Sequence, residues 1–475
     1  MDNKCRLTRI EVKSLFNRFD YDIDLNNGND VAILIAPNGC GKTTIFRLVD
    51  CIFNPTEKKI RKIMSIPFET VFCTLSDGRK VGYITSKKTT GSAGLLDLYN
   101  EEMGLIETRK QNTRISLIVV DEEEYKFDIT DIIDEAESRG SFGENILCEN
   151  LEFRERTEMY SRLMQEFLSK QSGKKNKTQP KKYEDFPKDI SNYRMFMHMH
   201  GLDLAVNYIS AERLHKIQYS DMHRERIMRR HARDEAIDPL DLIQEKARDL
   251  FRRADNRYRK LVSDARDKLP KMYLGTKNKT SVTYSDFEES WKEYVYSLEK
   301  YYQLGLLESN QTILEQKKLK EAYTQYGAFL TVYLEAFKGT LQPWAEEYGR
   351  MKLFADIINK RNEITGKKLK FDRSGLVMTS DDNPIELSCL SSGEKNDLVM
   401  FYNLIFNSRE GSVVLIDEPE ISLHIEWQEE YIDRLLEICE MNGLQAIVAT
   451  HSPNIVNGHF ELYVEKGFRD ERKCN

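Results

Sequence analysis

The chain has 475 residues, enough for roughly three domains, and its 40% hydrophobic and 31% charged residues describe a soluble globular protein. The net charge of −7 is small for this length, so any nucleic-acid surface must be a local patch. The eight cysteines are scattered singly, and we expect neither a disulfide framework nor a cysteine zinc site. No apolar run approaches membrane-spanning length and the first residues do not resemble a secretory signal, so a membrane protein is not expected. The expected location is the reducing cytoplasm.

A strand that leads into a glycine-containing turn dominates the N-terminal region. Apolar residues at 31–35 predict a buried parallel strand, and Ala-Pro-Asn-Gly-Cys-Gly-Lys-Thr-Thr follows at 36–44. The amides of such a turn, together with the N-terminus of the helix after it, bind the phosphates of a nucleotide. The predicted nucleotide contacts are Asn38, Gly39, Cys40, Gly41, Lys42, Thr43 and Thr44.

Two of these side chains have predicted roles of their own. Lys42 would reach the β- and γ-phosphates, and the hydroxyl of Thr43 would ligate Mg²⁺. The first position of the motif is usually glycine, and here it is Ala36. We expect this change to stiffen the loop slightly without inactivating it.

Alternating apolar and polar residues predict a half-buried antiparallel layer beside the nucleotide site. Its strands are predicted at 7–12, 21–25, 68–75, 80–85 and 113–120.

Residues 150–200 are predicted to be helical around a basic run at 169–182, which is either a flexible loop or a contact for the phosphates of DNA or RNA. The histidines at 198 and 200 have no carboxylate beside them and are not interpreted as metal ligands.

A short strand at 205–210 would deliver Glu212 and Arg213 to the sheet edge, as a nucleotide sensor or as an ordinary surface ion pair.

The central region is predicted to be helical from about 220 to 362. Its aromatic residues at three-to-four spacing, from Phe287 to Tyr301, predict a core between helices, and the basic stretch at 224–233 is interpreted as a solvated helix face rather than a DNA contact. A β-hairpin is predicted at 367–378. The predicted domains are an N-terminal ATPase lobe at 1–215, a helical insert at 216–362 and a C-terminal ATPase lobe at 363–475.

The C-terminal region adds four stretches whose residues could take part in nucleotide binding or hydrolysis. Ser391, Ser392, Gly393 and Glu394 precede an apolar helix and predict a second phosphate-binding helix N-terminus. A buried strand at 412–416 ends in Asp417, which can hold the Mg²⁺ shell, and Glu418, which can polarise the attacking water. The third stretch is Ser422-Leu-His424. A further core strand at 446–450 ends in His451, whose imidazole can reach the γ-phosphate.

The four stretches together resemble the ABC-type ATPases, in the branch that contains the SMC and RecF proteins. The resemblance implies an α/β fold, an ABC-type P-loop ATPase head split by a large α-helical insert. It identifies 36–44 as Walker A, 390–396 as the signature motif, 413–418 as Walker B, 422–424 as the D-loop and His451 as the switch histidine. Glu418 is then the catalytic base. The resemblance also implies a head-to-tail homodimer, possibly a higher oligomer, in which Ser391 and Gly393 act on the partner's ATP.

The sequence Asp417 to His424 also resembles the OLD-family ATPases, which usually continue into a Toprim nuclease. The short stretch after His451 is expected to leave no room for one, and the long gap from Lys42 to Ser391 argues against a transporter subunit. The PtuA ATPases of the bacterial Septu anti-phage systems and their retron-associated relatives share this layout. That resemblance implies a separately encoded HNH endonuclease partner (PtuB), with DNA contacted through the complex.

Two substitutions depart from these relatives, which often have glutamine at the position of Glu212 and proline near Ile425. Two other functions stay open at this point. One is a RecF-like repair ATPase that clamps DNA without a nuclease, and the other is an ATP-sensing scaffold with almost no turnover.

Overall fold

The computed structural model describes residues 5–26, 28–37, 39–87, 113–121, 123–130, 132–133, 190–211, 238–275, 282–308, 318–381, 383–421, 423–464 and 469–470. These residues form two compact units. We call the one built from the described residues within 5–211 and 407–470 the sheet unit. The other, built from the described residues within 238–406, is the helical unit.

Strands and helices are numbered in chain order. The strands are β1 Leu7–Leu15, β2 Phe19–Asp24, β3 Val31–Ile35, β4 Thr70–Leu75, β5 Lys80–Lys87, β6 Thr113–Val120, β7 Glu124–Asp128, β8 Val206–Ile209, β9 Lys367–Asp372, β10 Gly375–Ser380, β11 Asn383–Ile385, β12 Val413–Asp417, β13 Gln445–Thr450 and β14 Arg469–Asp470. The α-helices are α1 Lys42–Phe53, α2 Glu57–Met64, α3 Ile190–Met199, α4 Pro239–Gly275, α5 Tyr284–Gln303, α6 Leu319–Lys338, α7 Gln342–Arg361, α8 Ser392–Tyr402, α9 Ile425–Glu429, α10 Tyr431–Asn442 and α11 Pro453–Val456.

A four-stranded parallel sheet carries the predicted phosphate-binding motif. Its strand order is β3-β13-β12-β8, and every neighbouring pair is parallel. All residues of β12 and β13 are buried, as expected for strands covered on both faces. The continuous apolar runs in the sequence therefore predicted these strands correctly.

A seven-stranded antiparallel sheet forms the second layer of the sheet unit, in the order β14-β2-β1-β4-β5-β6-β7. Burial alternates along β4, so one face is turned to the core. Residues of both sheets and of α1 share one hydrophobic core, and α1 contacts β5 as well as β8 and β12. The predicted antiparallel layer is confirmed.

A buried glutamine joins the two sheets at one point. The side chain of Gln445, the first residue of β13, accepts a hydrogen bond from the Leu7 amide at 3.0 Å and donates one to the Leu7 carbonyl at 2.8 Å. Leu7 is the first residue of β1. Since a buried amide group must be paired, this double contact fixes the start of β13 against the antiparallel sheet.

The helical unit consists of α4 to α8 and a small sheet of β9, β10 and β11. The aromatic stripe of α5 is buried, with Phe287, Trp291, Tyr294 and Tyr301 at 8% exposure or less, so the prediction of a helix core is confirmed.

The predicted hairpin, formed by β9 and β10, packs with these helices. The Gln244 side chain of α4 donates to the carbonyl oxygens of Ser374 and Leu376 at 3.0 Å and accepts from the Leu376 amide at 2.9 Å. This edge contact explains why β9 and β10 belong to the helical unit.

The predicted α/β fold is confirmed, and a large helical insert splits the chain of the sheet unit. Among the described helices, none is both long and apolar enough to cross a membrane. The basic runs predicted at 169–182 and 224–233, and the helical prediction for 150–189, lie outside the described residues.

Candidate functional site

The carboxyl ends of the parallel strands define one edge of the sheet. The last pair between β13 and β3 is Thr450 with Ile35, and the last pair between β12 and β13 is Asp417 with Ala449. The segments that leave these strands therefore start side by side. In open α/β sheets, ligands bind at this edge.

The first of these segments is the glycine turn between β3 and α1. Gly39 and Gly41 have φ angles of +80° and +86°, in the left-handed region that favours glycine. A Cβ atom on Gly41 would also lie 2.7 Å from Leu15 Cδ2, in the β1–β2 hairpin. Gly41 is the N-cap of α1, so the turn leads directly into a helix N-terminus that can bind an anion.

Ala36 occupies the position where the motif usually has glycine. It is buried, its amide donates to the Thr450 carbonyl at 3.4 Å, and its φ angle is not in the left-handed region. An L-residue is accommodated there without backbone strain, and nothing among the described residues around it requires glycine.

Lys42 turns its side chain back onto the loop. Its ammonium group donates to the carbonyl oxygen of Ala36, and the Pro37 carbonyl oxygen lies 3.4 Å away. The residue is only 8% exposed, so the charge is held inside the turn. Thr43 and Thr44 follow in the first turn of α1 and are partly exposed, whereas Asn38 lies outside the described residues.

Asp417 ends β12 and is completely buried. Its Oδ2 accepts a hydrogen bond from the Tyr208 hydroxyl at 3.2 Å, while no donor among the described residues reaches the buried Oδ1. Burial, reinforced by the Asp417 charge, raises the pKa of Tyr208, so the phenol remains a donor.

Tyr208 was not recognised from the sequence. The available signal was a tyrosine hydroxyl in a short strand that was predicted to end at the edge of the sheet. Glu212 and Arg213, which the sequence predicted in this region, lie outside the described residues.

Glu418 has an unusual backbone conformation. Its φ angle is +44°, which a non-glycine residue adopts at a cost of about 1–3 kcal/mol. Its amide donates to the Ala449 carbonyl at 2.8 Å, and its Oε1 lies 3.8 Å from Nδ1 of His451. The strained turn therefore brings the predicted base and the predicted switch histidine together.

A second carboxylate, Glu420, contacts the same histidine at 2.9 Å and was missed by sequence reasoning. It is the second glutamate of the Asp-Glu-Pro-Glu sequence, which was noted only as a family resemblance. Of the predicted D-loop, Ser422 lies outside the described residues, and the His424 side chain is 71% exposed.

The predicted signature residues lie at the start of α8, in the helical unit. Ser391 caps the helix and forms a capping box with Glu394, and Ser392 is exposed. Burial alone would raise the pKa of Glu394, but the ion pair with Lys367 at 2.7 Å and the Ser391 amide together lower it. The helix start is thus fixed while the hydroxyl groups remain accessible.

The sequence matches the AAA ATPase domain family AAA_15 over residues 7–456. The chain belongs to this family. The match spans both the P-loop and the segment that contains Asp417, Glu418 and His451, so this AAA_15 ATPase carries its candidate residues within the family domain.

One curated relative of this AAA_15 ATPase is the probable ATPase of retron Ec83 from Escherichia coli. The two sequences are 35% identical over 100 residues, which is 18% of each chain. The chain therefore matches less than a fifth of the length of that relative.

Solved SMC head structures also align with this AAA_15 ATPase. One is an SMC head bound to the C-terminal winged-helix domain of ScpA, with 11% identity, 98% coverage of both chains and a TM-score of 0.32. Another is an SMC head with coiled coil and joint derived from Pyrococcus yayanosii, with 12% identity, coverage of 95% and 93%, and a TM-score of 0.30.

Proposed function

We propose that this AAA_15 ATPase binds and hydrolyses ATP with Mg²⁺ as a head-to-tail homodimer, and that its ATP state gates a separately encoded HNH nuclease in anti-phage defence. The observation that carries the ATPase part is the meeting of the glycine turn, Asp417, Glu418 and His451 at one edge of the parallel sheet.

The residues present fit a Mg²⁺ ion. Asp417 Oδ1 is buried without a described donor, which is costly for a carboxylate oxygen unless a cation completes it. A carboxylate and the Thr43 hydroxyl are oxygen ligands of the type that Mg²⁺ prefers. When bound, the ion would neutralise charge on the phosphates.

The protein residues have separate roles in this proposal. Lys42 and the amides of the glycine turn bind the phosphates, because both present donors to an anion. Glu418 accepts a proton from the attacking water, and His451 contacts the γ-phosphate. Tyr208 orients Asp417 through its hydrogen bond to Oδ2.

The signature residues are proposed to act on the ATP of the second subunit. This is supported by the exposed serines at a capped helix N-terminus, a site where an anion is favoured. A homodimer would supply two such helix ends to two P-loops.

Ser391→Asp tests this role without removing the helix cap. Aspartate is about as good an N-cap as serine, so the free energy of unfolding should change by less than about 0.5 kcal/mol. The added charge would face the phosphates of the partner, and ATP turnover should fall by more than about 10-fold. Steady-state ATPase assays and thermal unfolding measure the two effects.

Ser285→Asp is the matched control for that variant. Ser285 is exposed in the first turn of α5, another helix of the same unit, so the substitution adds the same charge near a helix N-terminus. Its turnover should match the wild type. Equal turnover in Ser391→Asp and Ser285→Asp would contradict a role of the signature in catalysis.

The defence role is supported by the similarity to the retron ATPase and by the motif resemblance to the Septu ATPases. An ATPase with a helical insert can transmit its nucleotide state to a partner through conformational change. DNA would then be contacted and cut by the complex rather than by this chain.

The test is to look for an HNH reading frame beside the gene and to reconstitute its product with this chain; the absence of such a reading frame would count against the gating proposal. Co-purification, together with DNA cleavage only when both proteins are present, would support the proposal. ATP-dependent and strongly salt-sensitive DNA binding by the isolated ATPase, with no nuclease partner, would favour a RecF-like clamp instead. Cleavage of DNA by the chain alone would overturn the gating proposal.

A further inference from the structure

The buried carboxylate of Glu420 contacts the carboxyl end of β13. Glu420 is 8% exposed, and its Oε1 accepts hydrogen bonds from the Thr450 hydroxyl at 2.7 Å, the His451 amide at 2.9 Å and the Ser452 amide at 3.2 Å. The same oxygen lies 2.9 Å from Nδ1 of His451. Glu420 therefore holds both the backbone and the ring of the histidine.

The surrounding turn is tied to the same place. The Ser452 hydroxyl donates to Gln428 Oε1 at 2.8 Å, and Gln428 Nε2 donates to the Leu423 carbonyl at 3.1 Å. The segment after β12 and the segment after β13 thus form one hydrogen-bonded unit. These hydrogen bonds hold the turn that follows His451 in place.

The contact also bears on which ring nitrogen carries the hydrogen. A carboxylate oxygen has lone pairs and no hydrogen, so a bare Nδ1 at 2.9 Å would be repelled by it, and this proximity favours the ring form with the hydrogen on Nδ1. In a neutral ring, Nε2 then has no hydrogen and is free to accept one. The His451 side chain is 43% exposed, so part of the ring faces outward from the cluster.

We infer that Glu420 is a positioning residue that holds His451 in the Nδ1–H form and leaves Nε2 available for the γ-phosphate and its water. The inference deepens the proposed function and rests on it for the effect on turnover. The state of the ring can nevertheless be measured without any nucleotide.

The first experiment is ¹⁵N NMR of the full chain labelled at histidine, with the His451 signals assigned by their loss in His451→Ala. Wild type and Glu420→Gln should both show the Nδ1–H form, because the amide oxygen of glutamine accepts the same donors. Glu420→Ala should show a mixture with the Nε2–H form. Unchanged His451 signals in Glu420→Ala would overturn the inference.

Thr450→Val is the matched control, since it removes the hydroxyl that bonds Glu420 and the Ser452 amide but leaves that amide bonded to Glu420 and the ring contact intact. Its His451 signals should match the wild type. Should Glu420→Ala fail to fold, Glu420→Asp keeps the buried charge but withdraws the oxygen by one carbon, and the same change in the ring is expected. Wild-type signals in Glu420→Asp would then count against the inference.

The second experiment is a double-mutant cycle in ATP turnover. Residues that orient a functional histidine typically contribute 10- to 100-fold, so Glu420→Ala should lower kcat by about that factor while ATP affinity stays within about 2-fold. The double variant with His451→Ala should be no slower than His451→Ala alone. If Glu420→Ala lowered kcat by the same factor in the wild type and in His451→Ala, Glu420 would have a merely structural role. Absence of turnover in the wild type would overturn the proposed function and leave the NMR result standing.

Discussion

Glu418→Gln is expected to lower ATP turnover by about 10²- to 10⁴-fold, because the amide cannot accept the proton of the attacking water. ATP should still bind, since the glycine turn and Lys42 are unchanged. The dimer with bound ATP should therefore accumulate and appear as a larger species in size-exclusion chromatography with light scattering. Hydrolysis is measured as phosphate release under single-turnover and steady-state conditions.

The fold should not be affected by this change. Glutamine and glutamate differ little in their backbone preferences, so the strain at φ +44° is common to both proteins. Glu437→Gln, which removes the same charge from the exposed pair with Arg434 on α10, is the control and should hydrolyse ATP normally. A protein whose wild-type turnover is already near zero and does not change in Glu418→Gln would be an ATP sensor rather than an ATPase.

Lys42→Ala has the second large expected effect, a loss of nucleotide affinity of at least about 100-fold. A hydrogen bond to a charged partner contributes about 1.5–3 kcal/mol, and about 1.4 kcal/mol corresponds to tenfold in affinity, so contacts with two phosphates account for this loss. Isothermal titration calorimetry with a non-hydrolysable ATP analogue measures it. Thermal unfolding should be followed in parallel, because the Ala36 carbonyl loses its donor.

Lys62→Ala on α2 removes an equal charge from an exposed position and should leave the affinity unchanged. Unchanged affinity in Lys42→Ala would contradict the nucleotide assignment as a whole, because every role proposed at the sheet edge depends on bound phosphates.

Local sequence patterns predicted the parallel strands and the residues that follow them. An apolar run that ends in a polar residue indicates both that a strand is buried and where it ends. Asp417 and His451 could therefore be predicted at the same edge of the parallel sheet. The glycines at 39 and 41 were informative for a similar reason, because a tight turn before a helix needs left-handed backbone.

Contacts between distant segments could not be predicted in this way. Glu420 is separated from Thr450 by thirty residues, and no periodicity in either segment indicates that the two meet. The same holds for Gln244 and Leu376, whose contact places the hairpin with the helices. Both depend on tertiary packing, so a single sequence carries only the residue types and not their pairing.

Because Gln445 fixes the start of β13, the length of that strand determines where His451 lies. Gln445 is attached to β1, and the strand that begins there runs six residues to Thr450, directly before the imidazole. A hydrogen-bonded strand does not stretch, and inserting or deleting one residue would turn its side chains to the opposite face. The number of residues between Gln445 and His451 therefore sets the position of the imidazole relative to β1. Conservative exchanges of side chains within β13 are tolerable, whereas a change in its length is not.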